Sequence, residues 1–141
     1  ASLQGVTLAM LEARRPEEFT ASRMDALVAA GATSLLIIED PMVSSIGRTV
    51  VGEAVRLRLP TISALESLTE AGILMRYGGS QAQRYRETAV YIDRILKGAR
   101  PAELPVQQPT RFELTINLST ARAIGLTIPP PLLAQADEIL E

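Results

Sequence analysis

The sequence predicts an α/β layer fold, a parallel sheet with helices on both faces. Three observations carry this. Apolar runs of strand length alternate with stretches whose apolar residues recur at helical spacing, the order expected of parallel βαβ units with right-handed crossovers. The 141 residues suffice to bury roughly two-thirds of the unfolded surface around a single core. Finally, 47% hydrophobic and 21% charged residues describe an ordinary globular domain and not a disordered tail or a fibre.

Taken in order, Val6 to Leu11 (VTLAML) reads as a buried strand that leaves the core at Glu12-Ala13-Arg14-Arg15. Pro16 suits the first turn of a helix, Glu17 and Glu18 favour its positive end, and Phe19, Met24, Leu27 and Val28 give it an apolar stripe running to Gly31. Thr33 to Ile38 (TSLLII) carries Leu and Ile on both faces, which predicts a central strand covered on both sides. A helix is expected from Ser44 or Ser45 to Leu59, with Ile46, Val50, Ala54 and Leu57 at helical spacing and Val51 and Val55 widening the stripe. Pro60 stops it.

Thr61-Ile62-Ser63 is a third, very short strand, Glu66 to Ala71 a brief helix closed by Gly72, and Ile73 to Tyr77 a fourth strand. Ser80 is placed to cap a helix running to Leu96, with Ala82, Tyr85, Ala89, Ile92 and Leu96 as its apolar face and Gly98 just past its end. Pro101, Pro105 and Pro109 mark an extended connector. Phe112 to Asn117 (FELTIN) alternates as a half-buried or edge strand, Ser119 or Thr120 caps a short helix ending at Gly125, and Pro129 to Pro131 introduces a last helix to Leu140.

Composition excludes much chemistry. With no His and no Cys, the chain cannot build a Ser/His/Asp or Cys/His pair, an imidazole or thiolate zinc site, or a disulfide. Fourteen Lys and Arg, scattered against 16 Asp and Glu, give a net charge of −2, which lacks the basic stripe that nucleic acid requires. No Gly-rich phosphate motif follows any strand, so nucleotide cofactors are disfavoured. No run approaches the roughly 20 apolar residues of a membrane span. The chain begins at Ala1 without a basic and then apolar leader, which reads as a mature chain or a piece of a longer one.

In a parallel sheet every loop after a strand emerges at one edge, where ligands bind. That rule selects Glu12 to Arg15, Asp40 to Ser45, Ser63 to Glu66, and Tyr77 to Ser80. Asp40 ends a buried strand, and Ser44 and Ser45 would start a helix whose free N–H groups attract an anion, an arrangement suited to a ligand with one cationic and one anionic end. Glu66 offers a second acceptor. The other reading, favoured by the residues alone, is that Asp40 and Ser44 only cap their own loop and helix. Tyr85 and Tyr91 read as core edge and surface, Arg14-Arg15 as solvated surface, and Gly78-Gly79 as a hinge or turn.

From Gly72 the text becomes specific: AGILMRYGGS, then YIDRILKGARPAELPVQQPTRFELTINLSTARAIGLTIPPPLLAQADEILE. It resembles the C-terminal half of the ABC transporter substrate-binding family of the TrpX-like type, relatives of periplasmic binding proteins type 1. TSLLIIEDP and PTISALESLTEAG fit the same family more loosely, so the resemblance covers essentially the whole chain.

The resemblance implies a Rossmann-like lobe of a two-lobed protein. Residues 1–76 would form most of lobe two. Residues 77–110 would hold the hinge crossing, a helix belonging to lobe one and the Pro-rich connector, and residues 111–141 the returning strand and C-terminal helices. By the same resemblance, lobe one would precede Ala1. The implied function is non-covalent capture of a small molecule, an amino acid or small aromatic or organic acid, and its delivery to a permease and ATPase outside the cytoplasm, in the periplasm or membrane-associated. No catalysis and no cofactor are implied. Ligand-binding positions would be Asp40, Pro41, Ser44, Ser63, Glu66, Tyr77 and Gly78. The sequence departs from the family pattern at Ser63, Ile73 and Arg76, the last standing where a small residue is usual. The helix from Ser80 to Leu96 would lack the lobe it should cover, which favours self-association of the fragment as a dimer.

An alternative is a receiver-like signalling domain phosphorylated on Asp40. It would require an acidic pair after the first strand, where Glu12 is followed by Arg14 and Arg15, and a Lys at the end of the last strand, whereas the only Lys is Lys97 at a helix end.

Overall fold

Prolines and glycines set most of the element boundaries in the computed structural model, which describes residues 5–141. Residues 1–4 of the unit expected over 1–76 lie outside that description. Pro16 opens a 3-10 turn at Pro16–Glu18, followed by α1 (Ala21–Ala29). Then come β1 (Leu35–Ile37), α2 (Pro41–Ser45), α3 (Gly47–Arg56), β2 (Thr61–Ser63), α4 (Ser67–Glu70), β3 (Met75–Gly79) and α5 (Gln81–Leu96). The chain closes with β4 (Phe112–Asn117), α6 (Leu118–Ile124), α7 (Pro130–Leu133) and β5 (Glu138–Leu140).

The five strands form one sheet in the order β1-β2-β3-β4-β5. All neighbours pair in parallel except β3 and β4, which are antiparallel. The α/β fold is as expected, and the sheet is mostly, not wholly, parallel. Residues paired across strands lie on the same face of a sheet. One register row therefore joins Leu36, Ile62, Met75, Ile116 and Ile139, and the next joins Ile37, Ser63, Arg76, Thr115 and Glu138.

The core consists of three touching clusters in place of the single one expected. Ile37, Val50, Val51, Leu68 and Ile73 pack together; Leu74, Ile116, Ala121, Ile124 and Ile128 form a second group; Met24, Ala54 and Leu59 a third. Val55 borders the first two, while Phe19 and Leu35 border the first and third. Leu74 and Ile116 are completely buried, each removing apolar area that contributes about 1.5–3 kcal/mol.

Several sequence expectations are corrected. Val6 to Leu11 is not a buried strand: Val6 makes an isolated bridge, and Val6, Leu8 and Met10 are exposed, with no neighbouring strand among the described residues to bury them. β1 lies at the edge of the sheet and not at its centre. Ile37 is covered by α3 and α4, but Leu36 and Ile38 on the opposite face are 66% and 72% exposed. β4 is interior, between β3 and β5.

The helix expected from Ser44 or Ser45 to Leu59 starts earlier and breaks, because Pro41 pre-sets the first turn of α2 and the backbone loosens at Ile46 before α3. Asn117, and not Ser119 or Thr120, caps α6, its side chain accepting from Thr120 N–H at 2.9 Å. The last helix stops at Leu133, and Glu138–Leu140 instead adds β5 beside β4, fixed by Asp137, whose backbone N–H donates to the Leu114 carbonyl at 2.8 Å.

Helix α5 has no buried residue. Ser80 caps it as expected, but Ala82, Tyr85, Ala89, Ile92 and Leu96 face away from the described chain. Its other side meets the connector: the Tyr91 hydroxyl donates to the Pro105 carbonyl, and Gln83 Nε2 donates to Thr110 Oγ1 at 3.1 Å.

Candidate functional site

Three of the four loops selected in the sequence emerge at the carboxyl edge formed by β1, β2 and β3. The fourth, Glu12 to Arg15, follows no sheet strand. It is tied to the turn behind it: Arg14 N–H and Arg15 Nε each donate to the Glu18 carboxylate at 2.9 Å, and Arg23 Nη2 donates to the Glu12 carbonyl. The Arg14 backbone N–H, then the Arg15 side chain, hold the Glu18 carboxyl below its ordinary range.

Asp40 is the N-cap of α2, its Oδ1 accepting from Met42 N–H at 2.7 Å. Pro41 occupies the first position, where a missing N–H costs nothing. Ser44 and Ser45 therefore lie at the end of this short helix and not at its start. The anion-attracting amides expected at Ser44 and Ser45 are not there, and Asp40 serves the capping role left open in the sequence. Ser45 Oγ donates to the Met42 carbonyl, while Ser44 Oγ shares a hydrogen bond with Ser67 Oγ at 3.1 Å. That contact joins α2, which follows β1, to the start of α4, which follows β2.

Ser63 is buried and its hydroxyl is committed to the chain, donating to the Ile37 carbonyl at 2.8 Å and accepting from Leu65 N–H at 3.1 Å. It fixes the turn out of β2. Two residues after Ala64 the turn presents Glu66, whose side chain is 52% exposed. Beneath it lies Arg76, on the same register row as Ser63, with only 5% of its side chain exposed. Arg76 Nη2 donates to the Gly79 carbonyl at 3.0 Å and stands 3.8 Å from Glu66 Oε2.

Tyr77, on the opposite face, is half exposed and stacks on Phe112 with ring centroids 5.6 Å apart and planes 21° from parallel. Tyr77 also borders a shallow, mostly apolar depression of about 390 Å³ lined by Leu36, Ile38, Glu39, Ile62, Ser63 and Ala64. Gly78 is buried against Ala64, where a side chain could not fit.

The structure thus brings together two groups at one edge: Ser44, Ser67, Glu66 and Arg76 on the helix-covered face, and Tyr77 with Phe112 and the apolar depression on the other. Asp40 and Pro41 stand at the start of the same edge. Sequence reasoning about ligands passed over Arg76, Ser67 and Phe112. The signal for Arg76 was present, a single charge inside an otherwise apolar strand.

Comparisons with known proteins agree on the fold. A family model described as ABC transporter substrate binding protein matches residues 1–140. A conserved domain protein from Vibrio cholerae O1 biovar El Tor superposes with a TM-score of 0.84 at 27% identity, over 96% of this chain and 45% of that one. An ABC domain in complex with L-Trp from Streptococcus pneumoniae gives 0.84 at 25% identity, again over 96% and 45%. A ligand-free, open substrate-binding protein with adhesive properties from Clostridium difficile shares the fold, with a TM-score of 0.60 at 19% identity, over 86% and 41%. The chain therefore spans less than half the length of these structures. No curated protein matches it in sequence.

Proposed function

The chain belongs to the ABC transporter substrate binding protein family, whose model covers residues 1–140, and from that membership we propose that it forms one wall of a solute-binding cleft. Residues 1–76 are most of one lobe, 77–110 cross to and cover the other, and 111–141 return. Two structural features support this division. β3 ends beside the start of β4, at the pair Gly79 and Phe112, and the helix between them has an apolar stripe with nothing against it among the described residues. The lobe that the stripe would cover corresponds to the extra length of the structural neighbours. With the stripe bare, the isolated chain self-associates as a dimer.

In this reading the protein captures a small solute without catalysis, and closure of the two lobes around it is the signal recognised by a permease and its ATPase. The solute is an amino acid or small aromatic or organic acid. The L-Trp complex of the Streptococcus pneumoniae neighbour supports that class, as do the exposed Tyr77 and Phe112 rings beside an apolar depression. Asp40, Pro41, Ser44, Ser63, Glu66, Tyr77 and Gly78 form the wall. Asp40, Ser63 and Gly78 shape it through contacts within the chain, while Ser44, Glu66 and Tyr77 face the solute. The working location is outside the cytoplasm, in the periplasm or at the membrane surface. No described helix is long and apolar enough to cross a membrane.

The family match over nearly the whole chain carries this conclusion. It leaves the receiver-like alternative on Asp40 without support. Titration calorimetry and thermal shift of the full-length protein against amino acids and small aromatic acids test the reading. Saturable binding without chemical change is expected, whereas turnover of a solute, or no shift with any of them, would sink it.

A further inference from the structure

A buried guanidinium needs partners, because an isolated ion taken out of water costs several kcal/mol. Arg76 is poorly provided. Of its five N–H donors, the described contacts use Nη2 alone, toward the Gly79 carbonyl at 3.0 Å. Its Nε is fully buried with no hydrogen-bond partner. Its ion-pair partner, Glu66, stands at 3.8 Å, beyond hydrogen-bond reach, on a half-exposed side chain. The other arginines in described ion pairs, Arg15, Arg56, Arg100 and Arg111, are between 46% and 78% exposed and need no such provision.

Direction matters as much as burial. Arg76 shares its register row with Ile37 and Ser63, the last residues of β1 and β2, so it already lies level with the carboxyl ends of those strands. Reaching the carbonyl of Gly79, three residues on, carries its side chain further toward the edge where the solute would lie. Glu66 covers it there from a loop, in a contact loose enough to exchange.

Building on the solute-binding reading, we infer that Arg76 recognises an acid group on the solute, and that Glu66 occupies its place until the acid arrives. A planar guanidinium with free donors matches a carboxylate in a paired, charge-assisted contact that an ammonium or an amide cannot reproduce. The solute is therefore an anion at this end, and Glu66 turns outward to solvent when it binds.

The test is calorimetry on the full-length protein with matched acids and amides as probes: L-tryptophan and L-tryptophanamide, indole-3-acetate and indole-3-acetamide, benzoate and benzamide. Neutral sugars and nucleosides serve as controls. At least one acid is expected to bind about ten-fold or more tighter than its amide. Arg76→Gln should bring that ratio to within about two-fold, and Glu66→Gln, an exposed change, should tighten the acid several-fold and so widen the ratio of acid to amide. A folded Arg76→Gln protein that keeps the acid preference overturns the inference. So does a Glu66→Gln protein that binds the acid more weakly, and this decides the matter if Arg76→Gln does not fold. Binding of neutral probes without acid preference removes the role of Arg76 while solute capture stands. If nothing binds, the solute-binding reading fails and this inference with it.

Discussion

Gly78 lies so close beneath Ala64 that a Cβ at position 78 would stand 2.9 Å from the Ala64 carbonyl oxygen and 3.1 Å from its Cβ. The obstacle is largely backbone, so it cannot swing away. Gly78→Ala should cost about 1–3 kcal/mol, as other overpacked sites do. It should also push out the Ser63 to Ser67 turn that carries Glu66. Urea denaturation checks the stability, and amide NMR shifts confined to that turn check the displacement. An unchanged midpoint would mean that the turn moves freely.

The Tyr77–Phe112 stack joins β3 to β4 near the end of the first and the start of the second. Both rings are about half exposed, so the coupling belongs at the lower end of the range for aromatic pairs, about 0.5–1 kcal/mol. A double-mutant cycle on Tyr77→Ala and Phe112→Ala measures it. Strict additivity would show the rings to be mere neighbours.

Gly52 and Gly47 sit in the same helix and respond oppositely. Nothing lies within 4 Å of a Cβ at Gly52, so Gly52→Ala should stabilise by about 0.5–1 kcal/mol through helix propensity. A Cβ at Gly47 would fall 2.5 Å from Leu68 Cδ2, a fully buried side chain, so the same gain is offset and Gly47→Ala should lower stability. Thermal melts of the two variants order them directly.

Glu18 gives a pH signature. Hydrogen bonds from Arg14 N–H and Arg15 depress its folded pKa below the unfolded value of about 4.3. Its contribution is therefore fully present above the unfolded pKa and lost as pH falls through the folded one. The stability difference between the native protein and Glu18→Gln should be constant from neutral pH down to about 5 and shrink progressively as pH falls below the unfolded value. Denaturant midpoints across that range check it, and a difference that grows in acid would reverse the assignment.

Local chemistry was legible in the sequence where it acts locally. Thr61-Ile62-Ser63 and Phe112 to Asn117 are strands over the expected residues, and Ser80 caps α5 as its position implied. Elements decided by distant partners were not legible. Glu138–Leu140 is three residues long and reads like the end of a helix, yet pairing with β4 makes it a strand. The text of Thr33 to Ile38 asks for burial on both faces, but the described chain covers only one. At the site, the start of the helix mattered: Asp40 caps it and Pro41 opens it, which turns Ser44 from an amide-bearing start into a side-chain contact with Ser67. Arg76 was visible as a departure, but its burial and its unpaired Nε depend on how α4 and the turn before it lie over the sheet.

The antiparallel pairing of β3 with β4 ends on the rung Gly79–Phe112, so the excursion over 80–111 leaves and re-enters at a single point. Topologically it is an insertion at the tip of a hairpin, anchored by one pair of adjacent residues. Such a segment can swing as a unit without disturbing the ladder behind it. It can equally be exchanged for a short turn, leaving the sheet to fold on the same register.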